Sequence, residues 1–531
     1  MVEFLGSLGL EPRHLSLLTK WAIAVSATAL LAQRAVALKR GPLPPTYARR
    51  ADRTLAVLAM LAFVSWWHVE GVQFGTSFHR WEFFHYYLGA KYSAELEYTR
   101  LYDCTAAAEA EDDPSSKVLY RTTRNLRTNV LEQGSPAARN PEICRSRFTP
   151  ARWQEFKHDA LWFRAEARRN WARMQVDHGY NATPVWNAAG HLLANTGPAS
   201  KRQMVALALI DPVLIATMWL VVWWAFGWRA MAVAVIFWGT NFPARYFYLG
   251  ASFLRSDWLV MSVIGIALAK RGYMMLAGAA LGWSTLLRVF PGFLASGAVL
   301  RFLQGPMRRG DSASGAVRLV AGACLALALL ISFSFLSPRG SITDGVERWR
   351  GFVENSRKHL SGSSVNRVGL PMLAMYSPGN DYGSLSRYWL DHPGDAWQAV
   401  RNTTFEERRV LYWAIVAVFL ALLALAVRGQ PYWTALVLGV GLIPMVSDIT
   451  CYYYGILLVY GLLSDRYPWI GVGLAGLSAF TLMASTLSPE EFRYTVISLG
   501  IVLYVFVVTA GVAWSTRASQ PEEHVVSPAA A

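Results

Sequence analysis

Glu82 sits in the run HRWEFFHYY, with His79 and Arg80 just before it and His85 one helical turn after it. A carboxylate among imidazoles and aromatic rings has the makings of a general base, because partial burial and neighbouring charges tune its proton affinity. The same spacing suits a surface glutamate paired with Arg80 or His85, a pairing worth little to stability. Glu70 and Asp103 are the rival carboxylates. A second group is Arg245, Arg255 and Arg288, with Asp257 close behind Arg255. Arg288 interrupts the apolar run GAALGWSTLLRVFPGFLASG. An arginine at membrane depth is costly, and its expected counter-ion is a phosphate or a carboxylate. Guanidinium forks grip phosphate at two oxygens, whereas Asp257 would neutralise the charge structurally, and the sequence leaves both readings open.

Further polar residues stand at the edges of apolar runs. Asp211 precedes Pro212, whose missing hydrogen bond leaves a carbonyl open, so a structural polar cluster fits it. Asp448 stands shortly before Tyr452, Tyr453 and Tyr454, and aromatic belts at a membrane surface account for tyrosines of that kind. The patch RKHLSGSSVN at 357–366 holds His359 and Asn366, and Arg367 follows it.

The elements that must position these residues are apolar helices. Among 531 residues, 54% are hydrophobic, 22 are Trp and only 16% are charged, which takes the chain outside the range of soluble domains. The apolar blocks have the length that crosses a hydrocarbon core as helix, so the expected fold is an all-α polytopic membrane protein. Twelve spans are expected near 55–71, 205–226, 229–247, 256–270, 273–287, 289–303, 317–336, 410–427, 432–447, 450–463, 468–486 and 494–514. The shorter ones suit broken or re-entrant helices. A thirteenth stretch, 15–38, contains Lys20 and Arg34 and could span the membrane or lie in its interface.

The net charge of +15 gathers in alternate short loops as the positive-inside rule requires, which argues against nucleic acid as a partner. That rule divides the chain into a cytoplasmic segment 1–54, a membrane module 55–336 with a large outer loop 72–204, a second outer loop 337–409, C-terminal spans 410–514 and a disordered tail 515–531. Within the first outer loop a helical piece is expected at 81–98 and an exposed excursion without chemistry at 106–143. A basic, Trp-bearing helix follows, starting at Thr149-Pro150 and running to about Gln175. It suits either the lipid headgroup layer or a face packed on the spans. Cys104 and Cys144 share this loop and could form a disulfide in an oxidising compartment. No cleavable signal peptide is evident, so the first spans would act as insertion signals. P-loop, dinucleotide-fingerprint, HExxH and CxxC patterns are absent, so nothing calls for a cofactor or metal. Asn181-Ala-Thr and Asn402-Thr-Thr match glycosylation sequons, a pattern short enough to arise by chance.

Taken in order, four segments resemble the C-type (GT-C superfamily) integral-membrane glycosyltransferases, and among them glycosyltransferase family 87, the polyprenyl-phosphate-mannose-dependent mannosyltransferases. Glu82-Phe83 through Tyr86-Tyr87 and Ala90 to Leu101-Tyr102-Asp103 looks like that family's first-loop pattern. Gly250-Ala251-Ser252 through Lys270-Arg271-Gly272 and Leu276-Ala277-Gly278 to Arg288-Val289-Phe290-Pro291 is similar to its long central segment. Ser363-Ser364-Val365-Asn366-Arg367 with Leu370 resembles its Asn-Gln-Ser loop, and Pro444 to Tyr454 its late segment. Glu82 stands where the family has aspartate, Arg288 where it has lysine, and Ile449-Thr450 where a histidine follows Asp448.

The resemblance implies a bundle of about 12–13 transmembrane helices with interfacial helices in the first outer loop. It also implies inverting transfer of a mannose-like or other hexose or pentose from a polyprenyl-phosphate donor to an extracytoplasmic glycan or lipid acceptor. Glu82 would be the base, and Arg255, Arg288 and Arg245 would hold the donor phosphate. His85, Tyr86, Asp257, His359, Asn366, Arg367 and Asp448 would bind substrate. The expected location is a bacterial inner membrane with the active loops outside. The rival expectation is a transporter or flippase of a lipid-linked or anionic solute, since intramembrane Arg and Asp also mark transport paths.

Overall fold

A computed structural model describes residues 12–68, 77–305, 313–336, 341–361, 364–386 and 393–518. Glu70, Ser363 and residues 519–531 lie outside the described residues; of the tail expected from 515, residues 515–518 instead continue the helix Glu490–Ala518. The chain is 77% helical with almost no sheet. Among the described residues five helices are long and apolar enough to cross a membrane: His14–Arg40, Lys201–Phe226, Ser314–Phe335, Gly394–Ala426 and Glu490–Thr516. Shorter apolar helices accompany them, so the architecture is compatible with an all-α, multi-pass membrane protein.

The stretch 15–38 forms one helix, Pro12–Arg40, packed on Pro468–Ala484. Arg34 lies near its end, where its Nη1 meets Asp52 at 2.6 Å, and Asp52 also receives Arg229 Nε at 2.9 Å. Of the two cations that leave this span open in the sequence, Arg34 is therefore neutralised in a shared cluster. The expected span 55–71 corresponds to the helix Pro45–His68, which is not among the five; residues 69–71 lie outside the described residues.

The expected spans 205–226 and 432–447 are interrupted, and these breaks share one cause with the expected boundary between 273–287 and 289–303. Proline lacks an N–H, and its ring clashes with the carbonyl four residues earlier. Counting four back from Pro212, Pro291 and Pro444 gives Ala208, Leu287 and Val440. The helix Lys201–Ala208 ends at the first, Met274–Leu287 ends at the second, and Tyr432–Gly439 ends one residue before the third. Elsewhere close approach is achieved with glycine. A Cβ at Gly278 would run into the Leu319 carbonyl, and one at Gly322 into that of Met275, which locks Met274–Leu287 against Ala313–Leu336.

Residues 77–200 fold into a packed polar layer. The helix Arg80–Lys91 is buried from Phe83 to Lys91. Lys91 Nζ reaches Asp159 Oδ2 at 2.7 Å; Asp159 also accepts from Tyr92 Oη at 2.8 Å and from the Ala199 N–H at 2.8 Å. That hub ties Arg80–Lys91 to Pro150–Ala167, which starts as expected, with Thr149 as N-cap and Pro150 as first residue. Its apolar residues Trp153, Phe156 and Phe163 are buried in the polar layer itself, so packing within the layer accounts for the stripe. On its other face, Arg152, Lys157 and Arg164 pair with acids of the same layer.

The segment 106–143 departs from the expected exposed excursion. The helix Leu101–Asp112 runs into it with Ala106, Ala107 and Ala108 fully buried, and a two-stranded ladder joins Thr122–Arg124 to Leu131–Gln133. Small alanine side chains let this helix approach its neighbours closely. The Cys104–Cys144 disulfide forms, with the Cα atoms 5.3 Å apart.

The second polar segment begins with the helix Ile342–Ser361. Arg367–Val368 then pairs antiparallel with Ile449–Thr450, which joins two distant polar stretches in one short ladder. The expected boundary at 409 is absent, because Pro393–Ala426 is a single helix of 34 residues. Arg401 on that helix forms a buried pair with Glu491 at 3.0 Å, fixing it to Glu490–Ala518.

Candidate functional site

A cavity of about 700 Å³ lies where the polar layer meets the apolar helices, with Glu82, Tyr86, Arg255, Asn366 and Tyr452 on its walls. His79 caps the helix Arg80–Lys91: its Nδ1 accepts from the Glu82 N–H at 3.3 Å, while its Nε2 lies 3.1 Å from the Phe247 carbonyl. The cap sets where Glu82 emerges. Its Oε2 stands 3.3 Å from Arg255 Nη1, with side-chain exposures of 17% for Glu82 and 4% for Arg255. The sequence reading offered Arg80 and His85 as partners for Glu82; the partner in the structure is Arg255.

Arg255 is held from behind. The carboxylate of Asp211 accepts the N–H of Arg255 at 2.9 Å and that of Ser256 at 3.1 Å, which anchors the entry to the helix Asp257–Lys270. Ala251 and Leu254, just before it, adopt positive φ values of 50° and 46°. Non-glycine residues take that conformation at a cost, and such strain gathers at functional sites. Pro212 therefore has a clear role: the helix break it imposes leaves Asp211 buried and facing backbone donors.

Two guanidinium groups flank one ring. The Arg255 Cζ lies 5.6 Å from the centre of Tyr86 and 4.6 Å from that of Tyr452, and the Arg288 Cζ lies 6.0 Å from Tyr86. Arg288 occupies the break that Pro291 imposes and is 8% exposed. Its Nη1 donates to the Leu287 carbonyl at 3.0 Å, while Nε and Nη2 are buried without a hydrogen-bond partner. Asp257 makes no direct ion-pair contact with it, although the two charges act on each other; the Asp257 carboxylate accepts the Trp258 N–H at 2.8 Å. Buried donors left unsatisfied are costly, so this corner is suited to an entering anion. Tyr86 Oη donates to Asn181 Oδ1 at 2.5 Å, and burial pushes the phenol up to about 12, so it remains a donor at neutral pH.

The opposite wall comes from the second polar segment. Arg367 Nη2 donates to the His359 carbonyl at 2.7 Å and its Nη1 meets Asp448 at 3.2 Å; Asn366 Oδ1 accepts from Ser364 Oγ at 2.7 Å. The His178 and His359 rings face each other edge to face at 5.6 Å. Desolvation, reinforced by Arg124, lowers His178 to about 4; desolvation, reinforced by His178, lowers His359 to about 3. Both are neutral at physiological pH and can share hydrogen bonds with hydroxyl groups.

Seven of the expected residues line this cavity: Glu82, His85, Tyr86, Arg255, His359, Asn366 and Arg367. His85 is held by its surroundings, with Nδ1 on the Trp81 carbonyl at 2.8 Å and Nε2 on Tyr102 Oη at 2.7 Å. Arg288 and Asp448 stand one residue behind the wall, at Tyr86 and Arg367 respectively. Asp257 does not line it, and Arg245 is boxed by Phe242 at 4.1 Å and Tyr248 at 4.4 Å. The rival carboxylate Asp103 is bound to Ser135 Oγ at 2.6 Å, away from the cavity.

Sequence reasoning passed over Asp177, His178, Asn181 and Tyr452, all on the cavity wall. Asn181 had been read only as a sequon and Tyr452 only as a belt aromatic. The polar run Asp177-His178-Gly179 directly after a helix was the available signal. Among the described residues no group of three or more His, Cys, Asp or Glu could hold a metal ion. No family model, curated protein or solved structure matches the chain.

Proposed function

We propose that this chain is a membrane glycosyltransferase that moves a sugar from a polyprenyl-phosphate donor to a hydroxyl of a glycan or glycolipid acceptor, with inversion. The observation that carries this reading is the Glu82–Arg255 pair at 3.3 Å, on the wall of a cavity where apolar helices and polar layer meet, with the unpartnered Arg288 donors just behind. An amphiphilic donor needs both environments: helices for its isoprenoid chain and cations for its phosphate. The acceptor needs a carboxylate within reach of its hydroxyl.

In this mechanism Glu82 takes the proton of the acceptor hydroxyl as its oxygen attacks the anomeric carbon from the face opposite the phosphate. The new glycosidic bond forms while the bond from the anomeric carbon to the phosphate oxygen breaks. The electron pair leaves with the polyprenyl phosphate, whose gained charge Arg255 and Arg288 stabilise in a water-poor corner. Tyr86, still protonated, can donate to a phosphate or sugar oxygen. Asn366, His178 and His359 offer neutral partners to sugar hydroxyls. The Cys104–Cys144 bond supports an oxidising, extracytoplasmic location for the polar layer.

The deciding experiment is a transfer assay with purified protein in lipid nanodiscs, a panel of polyprenyl-phosphate hexoses and pentoses, and product stereochemistry read by NMR. Transfer with inversion from one donor, abolished in Glu82→Gln, is the expected result. Absence of transfer from every donor, or full activity of Glu82→Gln, would remove the proposal.

A further inference from the structure

A second cavity, of about 460 Å³, opens between the Pro184–Ala194 helix, the Ile342–Ser361 helix and residues 93–99. It shares no lining residue with the Glu82 cavity. The two meet at Tyr180, whose ring touches Tyr86 edge-on at 5.7 Å and stacks on Tyr98, also at 5.7 Å. These buried rings form the partition between the two cavities.

The chemistry of the second cavity is specific. Asn355 is 5% exposed; its Nδ2 donates to the Tyr180 carbonyl at 3.3 Å, and its Oδ1 is buried with no hydrogen-bond partner. That oxygen calls for a donor from within the cavity. Acidic Glu97, Glu347 and Glu354 alternate with basic Arg127, Arg350 and Lys358 along the walls, so no single sign of charge is favoured. Its volume lies within the range of roughly 300–1,000 Å³ typical of small-molecule sites. A neutral ligand with an apolar face and many hydroxyls satisfies all these features: hydroxyls for Asn355 and the charged rim, and a C–H face for the Tyr98–Tyr180 wall.

We infer that this second cavity holds a glycan part of the acceptor, on the far side of the Tyr86–Tyr180–Tyr98 rings from Glu82. The inference rests on the glycosyl transfer proposed above, but its test is a binding measurement that needs no turnover. Saturation-transfer NMR on purified protein, with neutral trisaccharides of mannose, galactose and glucose as probes, is expected to show binding of at least one. Asn355→Leu should weaken it roughly fivefold, the loss of one hydrogen bond. Asn355→Asp, which keeps an oxygen at the same point, should bind far better than Asn355→Leu. Glu354→Trp, on the exposed rim where folding is not at stake, should occlude the mouth and weaken binding as well.

No binding of any probe to the unaltered protein would overturn the inference. So would equal binding by all variants, or equal loss in Asn355→Leu and Asn355→Asp, which would assign the amide to its Tyr180 bond alone. If trisaccharides bind as expected while no donor transfers, the Glu82 mechanism fails and the cavity stands. If transfer occurs and the Asn355 and Glu354 variants bind normally, only the cavity inference falls.

Discussion

Replacing Glu82 with glutamine should have two effects of opposite sign. The carboxylate lies 3.3 Å from Arg255 Nη1, a contact worth about 5 kcal/mol of Coulombic attraction at an effective dielectric of about 20. A phosphate gripped by the far edge of that guanidinium would sit roughly 6 Å from Glu82, where two like charges repel by about 3 kcal/mol at the same dielectric. Glu82 is partly solvated, and screening cuts this to about 1.5 kcal/mol, or about tenfold in affinity. Glu82→Gln removes the repulsion and leaves phosphate as the natural counter-charge of Arg255. Polyprenyl phosphate, the leaving group in the proposed reaction, should therefore bind about tenfold more tightly, while loss of the proposed base should lower kcat by about 10²- to 10⁴-fold. Equilibrium binding in nanodiscs and single-turnover transfer read the two quantities separately. Weaker binding of polyprenyl phosphate by the variant would refute the electrostatic reasoning, and unaltered turnover would refute the role of the base.

Other perturbations test the scaffold. Reducing the Cys104–Cys144 bond frees a closure spanning 40 residues, which the chain-entropy model values at about 4 kcal/mol; thermal unfolding with and without reductant should show a marked drop that Cys104→Ser reproduces. Lys91→Met strands the buried Asp159 carboxylate and should cost about 3–5 kcal/mol, whereas Lys91→Met with Asp159→Asn, which removes the charge and keeps an acceptor, should cost less, as a thermal-melt double-mutant cycle would show. His178 and His359 are held neutral down to about 4 and about 3, against 6.5 for an ordinary histidine. The unfolded chain thus binds protons that the folded chain does not, so their contribution is complete above about pH 6.5 and is lost as pH falls toward 4. His178→Gln and His359→Gln should flatten the acid limb of the stability profile. Asp211→Asn keeps the shape but weakens the acceptor for the Arg255 and Ser256 N–H groups; donor affinity should fall more than overall stability, read by binding and melting side by side.

Hydrophobic runs made the helical class and the positions of most apolar helices legible, because length and apolarity are local properties of the chain. Boundaries were less so. The helix Pro393–Ala426 continues 17 residues N-terminal to its expected start, since Arg401 finds Glu491 from a distant helix and can be buried there. Likewise Ala106–Ala108 read as loop until the neighbouring helices that cover them were known. Glu82, Arg255 and the 366–367 pair stood out by residue type and do share one cavity. Tyr452 and His178 did not stand out, because their roles come from contacts made across the fold. Arg245 shows the converse: a charge conspicuous in the sequence is absorbed by nearby aromatic rings.

The helix Pro393–Ala426 also bears on how such a molecule could move. At about 1.5 Å per residue its 34 residues measure about 51 Å, some 20 Å more than a hydrocarbon core. Its N-terminal end is buried at Trp397 and Arg401 and stayed by the Arg401–Glu491 pair to a second long helix. Rigid struts of this kind carry torque, so the region around residues 393–401 and its membrane base must turn together. The helices that end at Ala208, Leu287 and Gly439 have no such continuous strut, so stiffness is unevenly distributed along the frame.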